Sequence, residues 1–278
     1  MPVSSVCVPC SMPYSSGPAS AASFAHAAGP APGRGAAYRD HGETSYRGAA
    51  RLAGRKALVI GVDAGVGRAV AIAYAREGAD VAVHYLPENE AHAQDVLALL
   101  RAEGGRVVAI PGDLRDHVFC IELVHRAHDA LGGLDILANA ACAGEIPPEE
   151  LDRLDDIPFR DHLYAMFWLC RNAVPVMKPG AVILNTAEIR PCRDDLAPPH
   201  DDASTQAAIV AFTRALVRQA GMRGIRVNLV RAGPVWTPTR RDGSQPAEVA
   251  ALYVLLASQD NSLVSGEIYG VTGVLPQG

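Results

Sequence analysis

Lysine is scarce in this chain. Only Lys56 and Lys178 occur among its 278 residues, and arginine carries the rest of the fixed positive charge, a bias that reads as coding preference. Basic residues number 25 against 30 acidic ones, for a net charge of −5. That balance gives no reason to expect nucleic acid or an anionic membrane surface as a partner. No apolar run approaches the ~20 residues that a membrane-spanning helix needs. The N-terminus lacks a basic start followed by an apolar core, which argues against a secretory signal. Cysteine is thinly scattered, at positions 7, 10, 120, 142, 170 and 192. The spacing suggests no disulfide framework and points to a reduced, cytoplasmic setting. Cys7-Val-Pro-Cys10 is a lone pair with no second pair to complete a zinc site, and is read as incidental.

What the chain does have is ample core material, at 49% hydrophobic and 20% charged residues. Residues 1–39 are rich in Ala, Ser, Pro and Gly with almost no charge, a composition expected to stay disordered. Residues 40–53 are polar and are expected to lie as an arm on the surface of a single domain at 54–278. From residue 54 short apolar runs alternate with amphipathic stretches. Strands are expected at 56–60, 81–85, 107–110, 136–139, 182–185, 226–230 and 268–271. Helices are expected at 67–77, 88–103, 117–131, 158–176, 204–220 and 247–258. Apolar runs of four or five residues alternating with helices predict a parallel sheet buried on both faces. The fold class is α/β: a doubly wound, Rossmann-type parallel sheet of about seven strands with helices on both faces.

Gly61-Val-Asp-Ala-Gly65-Val66-Gly67 falls between the first strand and the first helix. Glycines there let backbone approach a pyrophosphate, and the helix N-terminus offers amide donors and a favourable dipole. The second strand ends His84-Tyr85-Leu86. In dinucleotide-binding folds this place chooses the cofactor: a carboxylate binds a ribose diol, and an Arg nearby accepts a 2′-phosphate. Neither signal is present; the missing carboxylate leans towards NADP over NAD.

From Gly54 to Gly273 the chain resembles the short-chain dehydrogenase/reductase family, most of all bacterial members with an N-terminal arm. The arm Asp40-His-Gly-Glu43, the run Gly54-Arg-Lys-Ala-Leu-Val and the helix-to-strand stretch Val70 to Val81 carry the likeness. Gly112-Asp113-Leu114 resembles the family's adenine-contacting Asp and its neighbour. Gly133 to Ala141 resembles the Asn-Asn-Ala-Gly stretch, with Asn139 as the one Asn kept. Gly224 to Asn228 also matches, as does Gly233-Pro-Val-Trp-Thr237, where the family contacts the nicotinamide end. The resemblance implies NADP or NAD as cofactor, bound by Gly61, Gly65, Val66, Gly67, His84, Asp113, Leu114, Asn139, Gly233 and Thr237. It also implies a small-molecule carbonyl substrate and a homo-oligomer, a dimer or tetramer, formed through the helices at 158–176 and 204–220.

The departures fall on the catalytic positions. The family uses Tyr as general acid/base, Lys to lower its pKa and hold the nicotinamide ribose, Ser to orient the carbonyl and a helix Asn for a proton relay. Alignment on Ala208 to Arg214 puts Asp202 at the Tyr and Gln206 at the Lys. Alignment on Val182 to Thr186 puts Glu188 at the Ser, and Phe159-Arg160 puts His162 at the Asn. The loop between Glu188 and Asp202 is one residue longer than usual; without that insertion the Ser place would be Ile189. An ordinary carboxyl is ionised at neutral pH whereas a tyrosine is not. Asp202 is also shorter by a whole ring, and Gln206 carries no charge. General acid/base catalysis is worth about 10²–10⁴-fold, and groups acting as a unit fail together. Ordinary carbonyl reduction is therefore expected to be slow or absent. The lid region after Trp236 is short, which would leave the pocket open to water.

Three functions follow as expectations. The first is a pseudoenzyme or cofactor-binding scaffold. The second is a non-redox acid/base enzyme for enolisation, dehydration or cyclisation, using His162, Glu188 and Asp202. That trio could also hold a divalent metal, but no metal is assigned. The third is an oxidoreductase with displaced catalytic groups; Ser204 and Thr205 lie inside the former motif. Tyr164 is another candidate, but it stands two residues from His162, points to a different helix face and is expected to pack.

Overall fold

The computed structural model describes residues 39–62, 65–141, 159–188, 200–233, 235–236 and 243–271, with side chains from 162 and 204 onward in the third and fourth segments. Of the tail expected at 1–39, residues 1–38, including Cys7 and Cys10, lie outside the described residues, as does Thr237.

Seven strands form one parallel sheet: β1 (Lys56–Ile60), β2 (Asp80–Tyr85), β3 (Val107–Pro111), β4 (Ile136–Asn139), β5 (Val182–Glu188), β6 (Arg226–Ala232) and β7 (Ile268–Val271). Their order is β3-β2-β1-β4-β5-β6-β7. The chain reverses its direction of growth between β1 and β4, so the crevice at their C-terminal ends is the switch point where such folds bind ligands. Side chains alternate across the sheet, as a period of two requires. Ala57 and Val59 pack into one core layer, and Leu58 and Ile60 into the other. The first layer is closed by α1 (Gly65–Arg76), α2 (Glu90–Ala102) and α6 (Pro246–Ala257). The second is closed by α3 (His117–Leu131), α4 (Ala165–Val176) and α5 (His200–Gly221). The expected doubly wound α/β class is the observed one.

Local signals explain most boundaries. Asp116 caps α3 by accepting a hydrogen bond from the Val118 amide, and Gly132 ends the helix in the left-handed region at φ 72°. Pro246 starts α6 behind a Gln245/Glu248 capping box. Two boundaries differ from expectation in ways that matter to the site. β5 runs on to Glu188 instead of ending at Asn185. α5 begins at His200 rather than Ser204, so Asp202 is helical. A π-helical turn, Phe159–Tyr164, leads into α4 and carries His162. The extra residue in such a turn re-aims side chains, and π-turns recur at functional sites.

Residues 40–51 are stitched down more tightly than a surface arm would be. Glu77, fully buried at the end of α1, accepts from the Tyr46 hydroxyl, the Ala49 and Arg51 amides and the Arg51 guanidinium. Arg76 donates to the Gly42, Glu43 and Tyr46 carbonyls. The Asp40 amide donates to Gln245 Oε1 at 2.9 Å, and Asp40 itself is buried. No helix among the described residues is long and apolar enough to cross a membrane.

Candidate active and cofactor site

The glycine turn closes directly onto α1. A Cβ on Gly67 would lie 2.0 Å from the Gly61 carbonyl oxygen, and one on Gly61 would lie 2.8 Å from Ala141 Cα, so neither position admits a side chain. Gly65 differs: its φ is +59°, yet a Cβ there would meet none of the described residues within 4 Å. Among the described residues the turn is thus tight at Gly61 and Gly67 and open at Gly65. Val66 is buried in the core, so only its backbone can face the turn. No acidic residue occupies the first turn of α1, at the positive end of the helix dipole. A cradle of this shape fits a pyrophosphate.

On the β2–β3 side, His84 is buried, with its ring 5.9 Å from that of Phe119. Its Nε2 lies 3.0 Å from the Gly112 carbonyl oxygen, an acceptor only, so that nitrogen carries the proton. His84 therefore ties the ends of β2 and β3 together. Asp113 is gripped by Arg115, whose Nε donates to both carboxylate oxygens and whose Nη2 lies 2.6 Å from Oδ2. These bonds hold the Asp113 carboxyl below the usual range, against the opposing effect of its partial burial.

On the β4–β5 side a small pocket opens to solvent. Ile60, Leu114, Asn139 and Ala141 line one part of it; Thr186, Glu188, Gln206 and His162 line another. Ala165, Met166, Leu169 and Ile209 complete an apolar wall. Three of the four expected catalytic positions, His162, Glu188 and Gln206, thus meet in one cleft. Asp202 lies four residues before Gln206 on α5, with its side chain outside the described residues. Gln206 Oε1 accepts the Glu188 backbone N–H at 2.8 Å, which fixes the end of β5 to α5. Among the described residues, no group of three His, Cys, Asp or Glu is arranged to hold a metal.

Below the pocket runs a buried polar chain that sequence reading missed apart from its first member. Asn139 Nδ2 donates to Asn185 Oδ1 at 2.8 Å, and Asn185 Nδ2 to Thr213 Oγ1 at 3.0 Å. Thr213 returns its hydroxyl proton to the Ile209 carbonyl. Thr186 bonds both the Asn139 carbonyl and the Tyr253 hydroxyl, joining β4, β5 and α6. The only signals in the sequence were polar residues inside runs otherwise apolar, Asn185-Thr186 in β5 and Thr213 in α5. Cys170 sits beside this chain, accepting from Asn139 Nδ2 and donating to Asn185 Oδ1; burial pushes its thiol up to about 12, which rules it out as a nucleophile at neutral pH.

Gly233 is buried and its amide donates to the Val271 carbonyl at 2.7 Å, joining β6 to β7. The Trp236 amide donates to the Ser244 carbonyl at 2.8 Å, so the chain beyond Trp236 returns to the same edge within a few residues. Tyr164, expected to pack, is 53% exposed and absent from the pocket lining.

A parallel sheet with its switch point at β1/β4, a glycine turn on α1 and a cleft over β4 and β5 define a dinucleotide-binding α/β protein. A family model described as Enoyl-(Acyl carrier protein) reductase matches residues 61–244. The chain is 41% identical over 269 residues to the uncharacterized oxidoreductase YhxD of Bacillus subtilis (strain 168), covering 85% of this chain and 87% of the relative. It is 44% identical over 259 residues to the uncharacterized oxidoreductase YghA of Escherichia coli (strain K12), covering 84% and 87%. A solved short chain dehydrogenase from Burkholderia cenocepacia in complex with NADP superposes with a TM-score of 0.71 at 31% identity, covering 80% of this chain and 98% of that one. The chain belongs to the short-chain dehydrogenase/reductase family of oxidoreductases.

Proposed function

We propose that this chain binds NADP or NAD as its family does, with NADP favoured, and that its pocket has left the family's usual carbonyl–alcohol chemistry. The observation that carries this reading is the state of the Lys position. Gln206 is neutral and its amide oxygen is engaged by the Glu188 backbone, so it supplies no cation to depress a neighbouring pKa. The Ser position is a carboxylate, Glu188, which cannot donate a hydrogen bond to a substrate carbonyl when ionised. Gly61, Gly65, Gly67 and the α1 N-terminus would hold the pyrophosphate; Asn139, Thr186 and Gly233 would border the other half of the cofactor. The NADP bound to the Burkholderia relative supports this choice of cofactor. When bound, the cofactor supplies hydride; the chain's own residues would bind and orient it without delivering the matching proton.

Calorimetric titration with NADPH and NADH is expected to show binding of at least one. A panel of carbonyl compounds, followed at the nicotinamide absorbance, is expected to show no turnover. Rates in the ordinary enzyme range of about 1–10³ s⁻¹ would overturn the reading. Restoring Asp202→Tyr, Gln206→Lys and Glu188→Ser together is expected to raise any residual rate by about 10²-fold or more.

A second reading has its own support, since His162 and Glu188 meet in one partly apolar cleft, a setting in which neighbouring groups can divide acid and base roles. Glu188→Ala and Asp202→Ala with an unchanged product profile would remove it. Self-association through the outer faces of α4 and α5 belongs to the same proposal. Phe167, 37% exposed, stacks edge-on against Trp168 and lies 5.9 Å from Phe212 across the two helices, with the Arg171 guanidinium over both aromatic rings of α4.

A further inference from the structure

We propose that the first residues of the arm, 39–43, are a strap on the cofactor site. They tie the first turn of α1 to the turn after β6, so that cofactor binding and arm docking strengthen each other. The inference rests on the cofactor reading above. The glycine turn follows β1, and Gly233 and Trp236 follow β6. Both stretches stand at the C-terminal ends of parallel strands, where doubly wound folds bind ligands. Strands β4 and β5, which carry the pocket, lie between β1 and β6. A dinucleotide seated on the glycine turn and extending over that pocket has these two stretches as its borders.

The arm touches both borders. Glu43 Oε1 accepts from Arg68 Nε at 3.2 Å, and His41 Nδ1 lies 3.2 Å from the same oxygen. Arg68 directly follows Gly67, which is pressed against the Gly61 carbonyl, so a pull on Arg68 reaches the glycine turn. At the other border the Arg39 guanidinium stands 5.6 Å from the centre of the Trp236 ring. Trp236 is buried, and its indole N–H has no acceptor among the described residues. Packing and that cation hold the ring in place of a hydrogen bond. Between the two borders the Asp40 amide donates to Gln245 Oε1 at 2.9 Å, and the Asp40 carbonyl accepts from the Ala247 amide at 3.1 Å. These bonds fix the arm to the start of α6. Residues 46–51 instead bind the far end of α1 through Glu77, so the arm's anchor is separate from its strap. A ligand that immobilises both borders lowers the entropy lost when the strap docks across them, and by reciprocity the docked strap favours the ligand.

The test is hydrogen exchange of the full chain with and without saturating NADPH, or NADH if it binds more tightly. Amides at 40–43 are expected to exchange about fivefold or more slowly with cofactor bound. The turn at 221–224, before β6 at the opposite end of the sheet, is expected to keep its rate. Calorimetric titration of two variants checks the reciprocal effect. Arg39→Ala removes the cation over Trp236, and Glu43→Ala removes the tie to Arg68. Each is expected to weaken binding about fivefold or more. The sign for Glu43 discriminates. By charge alone, losing a carboxylate beside the turn would favour an anionic cofactor, whereas losing the strap weakens its binding. Arg39→Lys, which keeps a cation over the ring, is expected to restore most of the affinity. Glu43→Gln, which keeps the side-chain length without its charge, is expected to act in the same direction and serves if Glu43→Ala does not fold. Unchanged exchange at 40–43, or full affinity in either the Arg39→Ala or the Glu43 variant, would overturn the inference while leaving cofactor binding intact. Failure of the unaltered chain to bind either cofactor would overturn the cofactor reading itself, and the inference with it.

Discussion

Gly67 has no room for even one methyl group, since its Cβ would sit 2.0 Å from the Gly61 carbonyl oxygen. Gly67→Ala must therefore push the turn off α1. A loss of roughly 1–3 kcal/mol in stability is expected, in line with overpacking elsewhere, together with a loss of cofactor affinity beyond tenfold. Chemical denaturation and calorimetric titration check the two separately. Asn139 makes a different kind of demand. Its amide donates into the buried Asn185–Thr213 chain. Asn139→Ala leaves Asn185 Oδ1 without that donor in the core, at an expected cost of about 1–3 kcal/mol, read as a lower unfolding midpoint at unchanged denaturant slope. The sequence named Asn139 by resemblance but not its partners. Asn185 lies 46 residues away and Thr213 another 28 beyond it, separations over which no local pattern operates.

Among the elements, the arm at 40–51 behaves as part of α1 and α6. Its attachment is electrostatic. The Glu43 carboxyl falls from its ordinary 4.5 to about 2: burial opposes ionisation, but hydrogen bonding and attraction to His41 and backbone amide donors outweigh it. Glu77 is likewise held low, with burial again opposed by bonds from Tyr46, Arg51 and Ala49. A carboxyl depressed in the folded state contributes stability above its unfolded pKa and loses it as pH falls through the folded one. The Glu43 contribution is thus complete above about 4.5 and lost on the way down to about 2. Acidification through that window is expected to release the arm before the sheet unfolds, seen as hydrogen exchange gained first at 40–51. Glu77→Ala, which leaves Arg51 and Tyr46 facing an empty partner, is expected to cost about 3 kcal/mol and to expose the arm to proteolysis at neutral pH. Composition alone suggested a surface arm, because the burial of Asp40, His41 and Glu77 depends on elements far along the chain.

For the whole molecule, the proposed self-association rests on the outer faces of α4 and α5. Phe167→Glu places a charge among Trp168, Phe212 and Arg171 and is expected to shift the protein to monomer in sedimentation velocity. An unchanged assembly size would place the contact elsewhere. The same helices form one wall of the pocket, through Ala165, Met166, Leu169, Gln206 and Ile209. Loss of the assembly is therefore expected to weaken cofactor binding only slightly if the pocket is complete within one chain.

The sequence by itself determined the sheet. Lys56–Ile60, Ile136–Asn139 and Ile268–Val271 were legible to the residue because short apolar runs between turn residues have few other ways to be buried. It also pointed to the turn at Gly61 to Gly67 as the place for a phosphate and, by resemblance, to His162, Glu188, Asp202 and Gln206 as altered catalytic positions, readings that stay with the proposed function. Tertiary structure alone decided that α5 starts early enough to carry Asp202, since His200-Asp201-Asp202 has no apolar periodicity to announce a helix. It decided that Tyr164 faces solvent rather than the core, and that Gln206 is bound to the backbone of Glu188. These are contacts between elements, and their geometry is set by how helices seat on a finished sheet, which no stretch of local sequence encodes.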